Sequence, residues 1–290
     1  MENYRIVTDS TADLTPEMVE ELGVQVIPLE FVLDGKSYFN YPDGRELSSK
    51  KFYDLLRAGN MATTVQVNTA RFIEVFEPLL QEGGDVLYIA FSSGLSGTYS
   101  SAVLAAEELK ERYPERRVAV VDSLAASMGE GLLVYHAVMR QRAGMNLDAL
   151  EKWLLENRNH LCHWFTVDDL FFLKRGGRVS ATTAVLGTIL TIKPVMHMDD
   201  NGRLIPVAKE RGRKRALRAL VDHMEETAID PQNQTVFISH GDCLEDAQFV
   251  EQQVRERLGV KDVLIHYVEP VIGAHSGPGT VALFFLGTHR

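Results

Sequence analysis

The chain has 290 residues, 45% of them hydrophobic, and carries 30 Lys and Arg against 40 Asp and Glu for a formal net charge of -10. That length buries a full core and falls between one large domain and two ordinary ones. The acid excess excludes general nucleic-acid binding, which needs a broad basic face, and the absence of any apolar run near the roughly 20 residues that cross a bilayer argues against stable membrane insertion.

The first residues, Met1 to Arg5, show no basic segment followed by an apolar stretch of the secretory kind. They lead directly into a strand ending near Thr8. Thr15-Pro16-Glu17 then supplies an N-cap, a proline and an acidic first turn for a helix through Leu22. Val24 to Leu33 is β-rich, Phe52 to Arg57 is helical, and the spacing of Phe72, Val75, Phe76, Leu79 and Leu80 predicts a helix over Thr69 to Gln81. Asp85 to Ala90 and Arg117 to Val121 are continuous apolar runs suited to parallel strands buried on both faces. Helices over Tyr99 to Tyr113 and Met128 to Gly144 follow them. Strand–helix alternation predicts parallel βαβ units whose ligands bind beyond the carboxyl ends of the strands, where Thr8, Ser92 and Asp122 fall.

Leu147 to Leu150 reads as a helix joining two lobes, residues 1–150 and 151–290, each α/β. In the second lobe Trp164 to Val167 is a strand and Phe171 to Arg178 contains a basic turn. Leu186 to Met198 reads as a helix and then a strand, broken at Lys193-Pro194. Asn201-Gly202 predicts a hairpin between Val195–Met198 and Leu204–Val207. Ala216 to Thr227 and Asp246 to Leu258 are helical, while Thr235 to Ser239, Val263 to Val268 and Val281 to Leu286 are strands.

The chemistry-bearing segments are short clusters of Ser, Thr and Gly: Thr8 to Asp13, Thr63-Thr64, Ser92 to Thr98, and His275 to Thr280. Glycine-freed backbone N–H groups ringed by hydroxyls and a histidine suit an anion such as a carboxylate or phosphate. Ser92 to Thr98 lacks the Lys of a nucleotide-binding loop, and Ser93 lacks the Gly-x-Ser-x-Gly spacing of a hydrolase elbow. His275, flanked by Gly273 and Gly277, reads as a loop residue able to donate a hydrogen bond or move a proton. The run Lys209 to Arg215 is a local basic footprint on an acidic protein. Cys162 and Cys243 have no neighbour at metal or redox spacing, which predicts reduced thiols in the cytoplasm and no metal site. No cofactor is indicated.

Taken together, Thr8 to Leu14, Ser92 to Tyr99, Val121-Asp122-Ser123, Leu170 to Ser180, Lys193-Pro194 and His275 to Thr280 resemble, in order, the DegV family of bacterial fatty-acid-binding proteins. The resemblance covers essentially the whole chain. It implies a two-lobe α/β fold with a long-chain fatty acid between the lobes, such as palmitate, stearate or oleate, presented to a fatty acid kinase that makes an acyl phosphate. It also implies a non-catalytic carrier acting in phospholipid metabolism. It implies that Thr64 and Ser96 hold the carboxylate, with Thr63 and Ser93 beside them and Arg178 and His275 near the headgroup. The resemblance further implies that Arg211, with Arg213 and Arg215, falls in a region that meets the kinase. The family's Thr-Ser-Gln-Pro loop here reads Thr64-Val65-Gln66-Val67, with Val65 and Val67 as departures. A serine hydrolase of acyl esters and a lipid-sensing regulator are the rival readings.

Overall fold

Each predicted parallel strand forms where its apolar run lies. In the computed structural model, which describes residues 4–180 and 191–290, β1 (Tyr4–Asp9), β2 (Gln25–Ile27), β6 (Asp85–Ala90) and β7 (Val118–Asp122) form an all-parallel, four-stranded sheet ordered β2-β1-β6-β7. The carboxyl ends of β1, β6 and β7 deliver Asp9, Ser92 and Asp122 to one edge of that sheet. The helices α1 (Pro16–Leu22), α2 (Ser49–Arg57), α3 (Thr69–Gln81), α4 (Thr98–Arg112), α5 (Met128–Arg142) and α6 (Leu147–Asn157) connect the strands. Thr15 caps α1, its Oγ1 accepting from the Met18 N–H at 3.1 Å.

Between the strands of that sheet in sequence lies a second, antiparallel sheet of β3 (Glu30–Leu33), β4 (Lys36–Phe39) and β5 (Ala62–Val65), ordered β4-β3-β5. The sequence reading has no strand at 36–39 or 62–65. Both are four residues long and largely solvent-facing, so neither carries the apolar alternation by which strands are recognised.

The second half forms a mixed six-stranded sheet of β8 (Leu161–Thr166), β9 (Ile192–Met198), β10 (Leu204–Arg211), β11 (Thr235–His240), β12 (Asp262–Tyr267) and β13 (Val281–Leu286), ordered β10-β9-β8-β13-β11-β12. The Asn201-Gly202 hairpin forms between β9 and β10, with Gly202 at φ 68°. Lys193-Pro194 does not break β9. Pro194 pairs with Lys209 on a stretch of β9 that β8 does not reach, where a missing N–H costs no ladder bond. The helix expected from Leu186 lies, up to residue 190, outside the described residues. The basic turn is preceded by a short helix, α7 (Phe171–Arg175), and α8 (Arg213–Thr227), α9 (Leu244–Leu258) and α10 (Pro270–Ser276) complete the chain.

Two packing choices position the site. The helix α5 is buried without a break from Met128 to Val134 and again at Ala137 and Val138, so that half of it lies between two layers: its Leu132, Leu133, Val134 and Ala137 share one core with Ile6, Leu87 and Val121 of the parallel sheet and with Phe165, Phe237 and Phe284 of the mixed sheet. The core therefore runs continuously across residue 150. Helix α10, from the second half, enters the first-half core, where Val271 and Ala274 pack with Phe31, Phe52 and Tyr53. Gly273 permits that approach, because a Cβ there would stand 2.6 Å from the Tyr53 hydroxyl oxygen.

Candidate functional site

The Thr8 to Asp13 cluster does not offer free N–H groups to an external anion, as the sequence reading expected, because the protein's own carboxylates occupy it. Asp9 accepts from the Thr11 N–H at 2.9 Å and from the Tyr88 hydroxyl. Glu130, carried in by α5, meets Thr8 Oγ1 at 3.0 Å and Thr11 Oγ1 at 2.9 Å. Burial raises the pKa of Asp9 and raises those of Glu130 and Asp13 well above the ordinary range. This acid layer forms one backing of a cavity of about 560 Å³ lined by both halves of the chain.

Most of the cavity wall is apolar, with Phe91, Phe165, Met198, Val271, Ile272 and Phe284 among its members. Thr64, Gln66, Ser96, Arg178 and His275 bring polar side chains to the same cavity. Thr64 stands on β5 opposite Phe31, and its Oγ1 lies 2.8 Å from His275 Nε2. Ser96 precedes α4; its Oγ accepts from the Thr98 N–H at 3.2 Å and lies 3.0 Å from Thr98 Oγ1, which fixes the hydroxyl at a helix N-terminus that favours negative charge. Arg178 donates from Nε to the Leu95 carbonyl at 3.1 Å and from Nη1 to the Gly176 carbonyl. Burial lowers its pKa, as expected of a cation held partly out of water.

His275 is not a loop residue. It closes the last turn of α10, a helix whose Pro270 at the first turn is a start signal present in the sequence. Its Nδ1 is buried without a hydrogen-bond partner against Gly176, where a Cβ would approach to 2.2 Å. Burial, followed by the Arg178 and Arg175 cations, pushes the imidazole down to about 4 from an ordinary 6.5. The unfolded imidazole takes a proton as pH falls below 6.5, while the folded one refuses it until about 4. Folding therefore weakens progressively across that window, by about 3 kcal/mol for this group at its lower end. Equilibrium denaturation from pH 7 to pH 4 is expected to show a shallower loss in His275→Gln than in the unaltered protein; equal slopes would show that His275 is protonated in the fold.

The structure gathers Thr64, Ser96, Arg178 and His275 on one cavity and leaves Thr63 and Ser93 off it. Thr63 alternates to the opposite face of β5 and is exposed, and the Ser93 N–H is held by Asp122 Oδ1 at 3.1 Å. Arg213 is also differently placed from a free surface cation: it bonds Asp246 Oδ2 at 2.7 Å and the Gly279 carbonyl at 2.6 Å. Arg211 and Arg215 are exposed. The residues of the apolar wall carry no common signal in the sequence, since they come from six or more elements that only the tertiary fold assembles. Cys162 and Cys243 are both free, and burial pushes each thiol up to about 12. Among the described residues no helix is long and apolar enough to cross a membrane.

Fold and cavity together define an α/β protein with a mainly apolar cavity lined by both halves of the chain and carrying a few polar side chains. The chain belongs to the DegV family: residues 3–288 match the family described as "Uncharacterised protein, DegV family". It is 47% identical over 287 residues to a DegV domain-containing protein of Clostridium perfringens, covering 99% of this chain and 98% of the relative. A DegV lipid-binding protein of Thermotoga maritima is similar in structure, with a TM-score of 0.86 at 31% identity over 100% of both chains. A fatty-acid-binding DegV family protein of Thermus thermophilus gives a TM-score of 0.87 at 31% identity, over 98% of this chain and 99% of the other.

Proposed function

We propose that this protein is a carrier for a long-chain fatty acid of the palmitate, stearate or oleate class, and that it presents the carboxylate to a separate fatty acid kinase for phosphorylation to an acyl phosphate. The observation that carries this reading is the cavity itself: about 560 Å³, mostly apolar, with Thr64, Ser96, Arg178 and His275 at hand. A tail needs such a wall and a carboxylate leaving water needs hydrogen bonds and a cation. Burying about fifteen methylenes at roughly 0.8 kcal/mol each gives an upper bound near ~12 kcal/mol before association costs. Tail burial therefore dominates affinity, and the polar groups fix the direction of the chain. The fatty-acid-binding relative from Thermus thermophilus supports the ligand class.

The rival hydrolase reading finds no triad in this geometry. His275 Nε2 faces Thr64 and its Nδ1 has no carboxylate partner, while Asp9 and Asp122 are engaged by Thr11 and by the Ser93 and Leu124 N–H groups. We place the carrier in the cytoplasm, in keeping with its two free thiols. Denaturing mass spectrometry of an organic extract of the purified protein is expected to return a fatty acid of about C14 to C18 in near-stoichiometric amount, because tail burial slows release. A stoichiometric nucleotide or sugar phosphate instead would sink the reading.

Kinase docking is assigned to the exposed Arg211 and Arg215, on the end of β10 and the start of α8. Reversing both charges to Glu is expected to slow kinase-dependent acyl-phosphate formation several-fold, with a reduced salt dependence, while lipid retention stays within two-fold. Arg213 is left out because its reversal would break the Asp246 and Gly279 contacts. Parallel loss of lipid and transfer in the double variant would assign this run a structural role.

A further inference from the structure

Not all of the polar wall belongs to the carboxylate end. Thr11, Ser127, Ser239, Ser276 and Thr280 also line the cavity. The Thr280 hydroxyl is spent on the Ser276 and Gly277 carbonyls, at 3.0 and 2.9 Å, and Thr11 is spent on Asp9 and Glu130. Ser127 joins a chain, bonded to Asp13 on one side and 3.0 Å from Ser239 Oγ on the other. Ser276 is different. It is only 6% exposed, and its Oγ has no hydrogen-bond partner. Buried hydroxyls without partners are exceptions. One residue beyond His275, its side chain leaves α10 about 100° around the helix from the imidazole, so it serves a different part of the wall.

We propose that Ser276 forms a second polar subsite that receives a hydroxyl carried on the acyl chain, so that the ligands of this protein include hydroxy fatty acids. The inference rests on the fatty-acid reading above and names a narrower substrate class for the same cavity. A hydroxyl both donates and accepts, so it is matched whichever way the Ser276 hydroxyl is directed. A second carboxylate at this wall would meet the same desolvation that raises the pKa values of Asp13, Asp9 and Glu130. A plain methylene leaves the Ser276 hydroxyl unpaired.

The test is a competition assay on the delipidated full chain, in which stearate and a series of monohydroxystearates, with the hydroxyl moved along the chain, displace a fluorescent fatty acid. In an unmatched apolar tunnel every hydroxyl position costs roughly ten-fold or more in affinity relative to stearate. The expected result is that at least one isomer binds within three-fold of stearate or tighter. In Ser276→Ala the affinity of that isomer relative to stearate should fall about ten-fold. Stearate measured on the same variant reports whether the fold is intact. The proposal is overturned if every isomer binds more than three-fold weaker than stearate, or if Ser276→Ala leaves the ratio unchanged. Failure of stearate itself to bind the unaltered protein overturns the carrier reading, and this inference with it.

Discussion

Replacing Leu204 by Trp is expected to lower affinity for a C16 to C18 fatty acid by about three orders of magnitude. Leu204 begins β10 opposite Met198, and both side chains line the cavity where the hairpin closes over it. An indole there takes space that the tail would fill. Displacing about five methylenes at roughly 0.8 kcal/mol each forfeits about 4 kcal/mol, or about a thousand-fold. Leu204 is only half-buried, and the strand ladder, which is made by backbone groups, is kept when the ring turns into the cavity. Displacement of a fluorescent fatty acid gives the affinity, and the thermal melting temperature of the lipid-free protein controls for folding. Full affinity with an unchanged melting temperature would mean that the tail lies elsewhere.

The carboxylate end yields a smaller effect of a different kind. Thr64→Ala and Ser96→Ala each remove one hydroxyl from a charged acceptor, a loss of roughly 1.5–3 kcal/mol, so each variant should bind about ten-fold to a hundred-fold more weakly. Neither should abolish binding, since the tail still contributes. The Thr64 change has a second consequence: it strips His275 Nε2 of its 2.8 Å partner and leaves both imidazole nitrogens unpaired. Thr64→Ala should therefore also cost folding stability, about 1–3 kcal/mol, whereas the half-buried Ser96, whose loss leaves no buried partner stranded but Thr98, should cost less. Fatty-acid affinity, denaturation midpoints and ester turnover measured side by side separate these effects. Robust ester hydrolysis by the unaltered protein, lost in Ser96→Ala with lipid affinity intact, would replace the carrier with a serine hydrolase.

The sequence by itself determined the elements whose burial is uniform or whose punctuation is local. Asp85–Ala90 and Val118–Asp122 are buried strands because nearly every residue is apolar, α1 starts at a Thr-Pro-Glu signal, and Asn201-Gly202 turns because Gly202 takes positive φ. Thr64, Ser96, Arg178 and His275 were legible as a set only through motif resemblance, since nothing in their spacing along the chain brings them together. Tertiary structure decided the rest. The strand β5, four residues long and mostly exposed, is held by pairing with β3 and not by its own pattern, and that pairing is what turns Thr64 inward and Thr63 outward. Helix α10 is seven residues long, too short to stand alone in water, and exists because Val271 and Ala274 find a core built by residues more than two hundred positions earlier. Asp9, whose position beyond a strand suggested an anion site, instead became half of a buried acid pair when α5 carried Glu130 against it. A single α-helix, buried from Met128 to Val134, supplied both that carboxyl and the continuity of the core, and its placement between two sheets is set by long-range packing that no local window of residues contains.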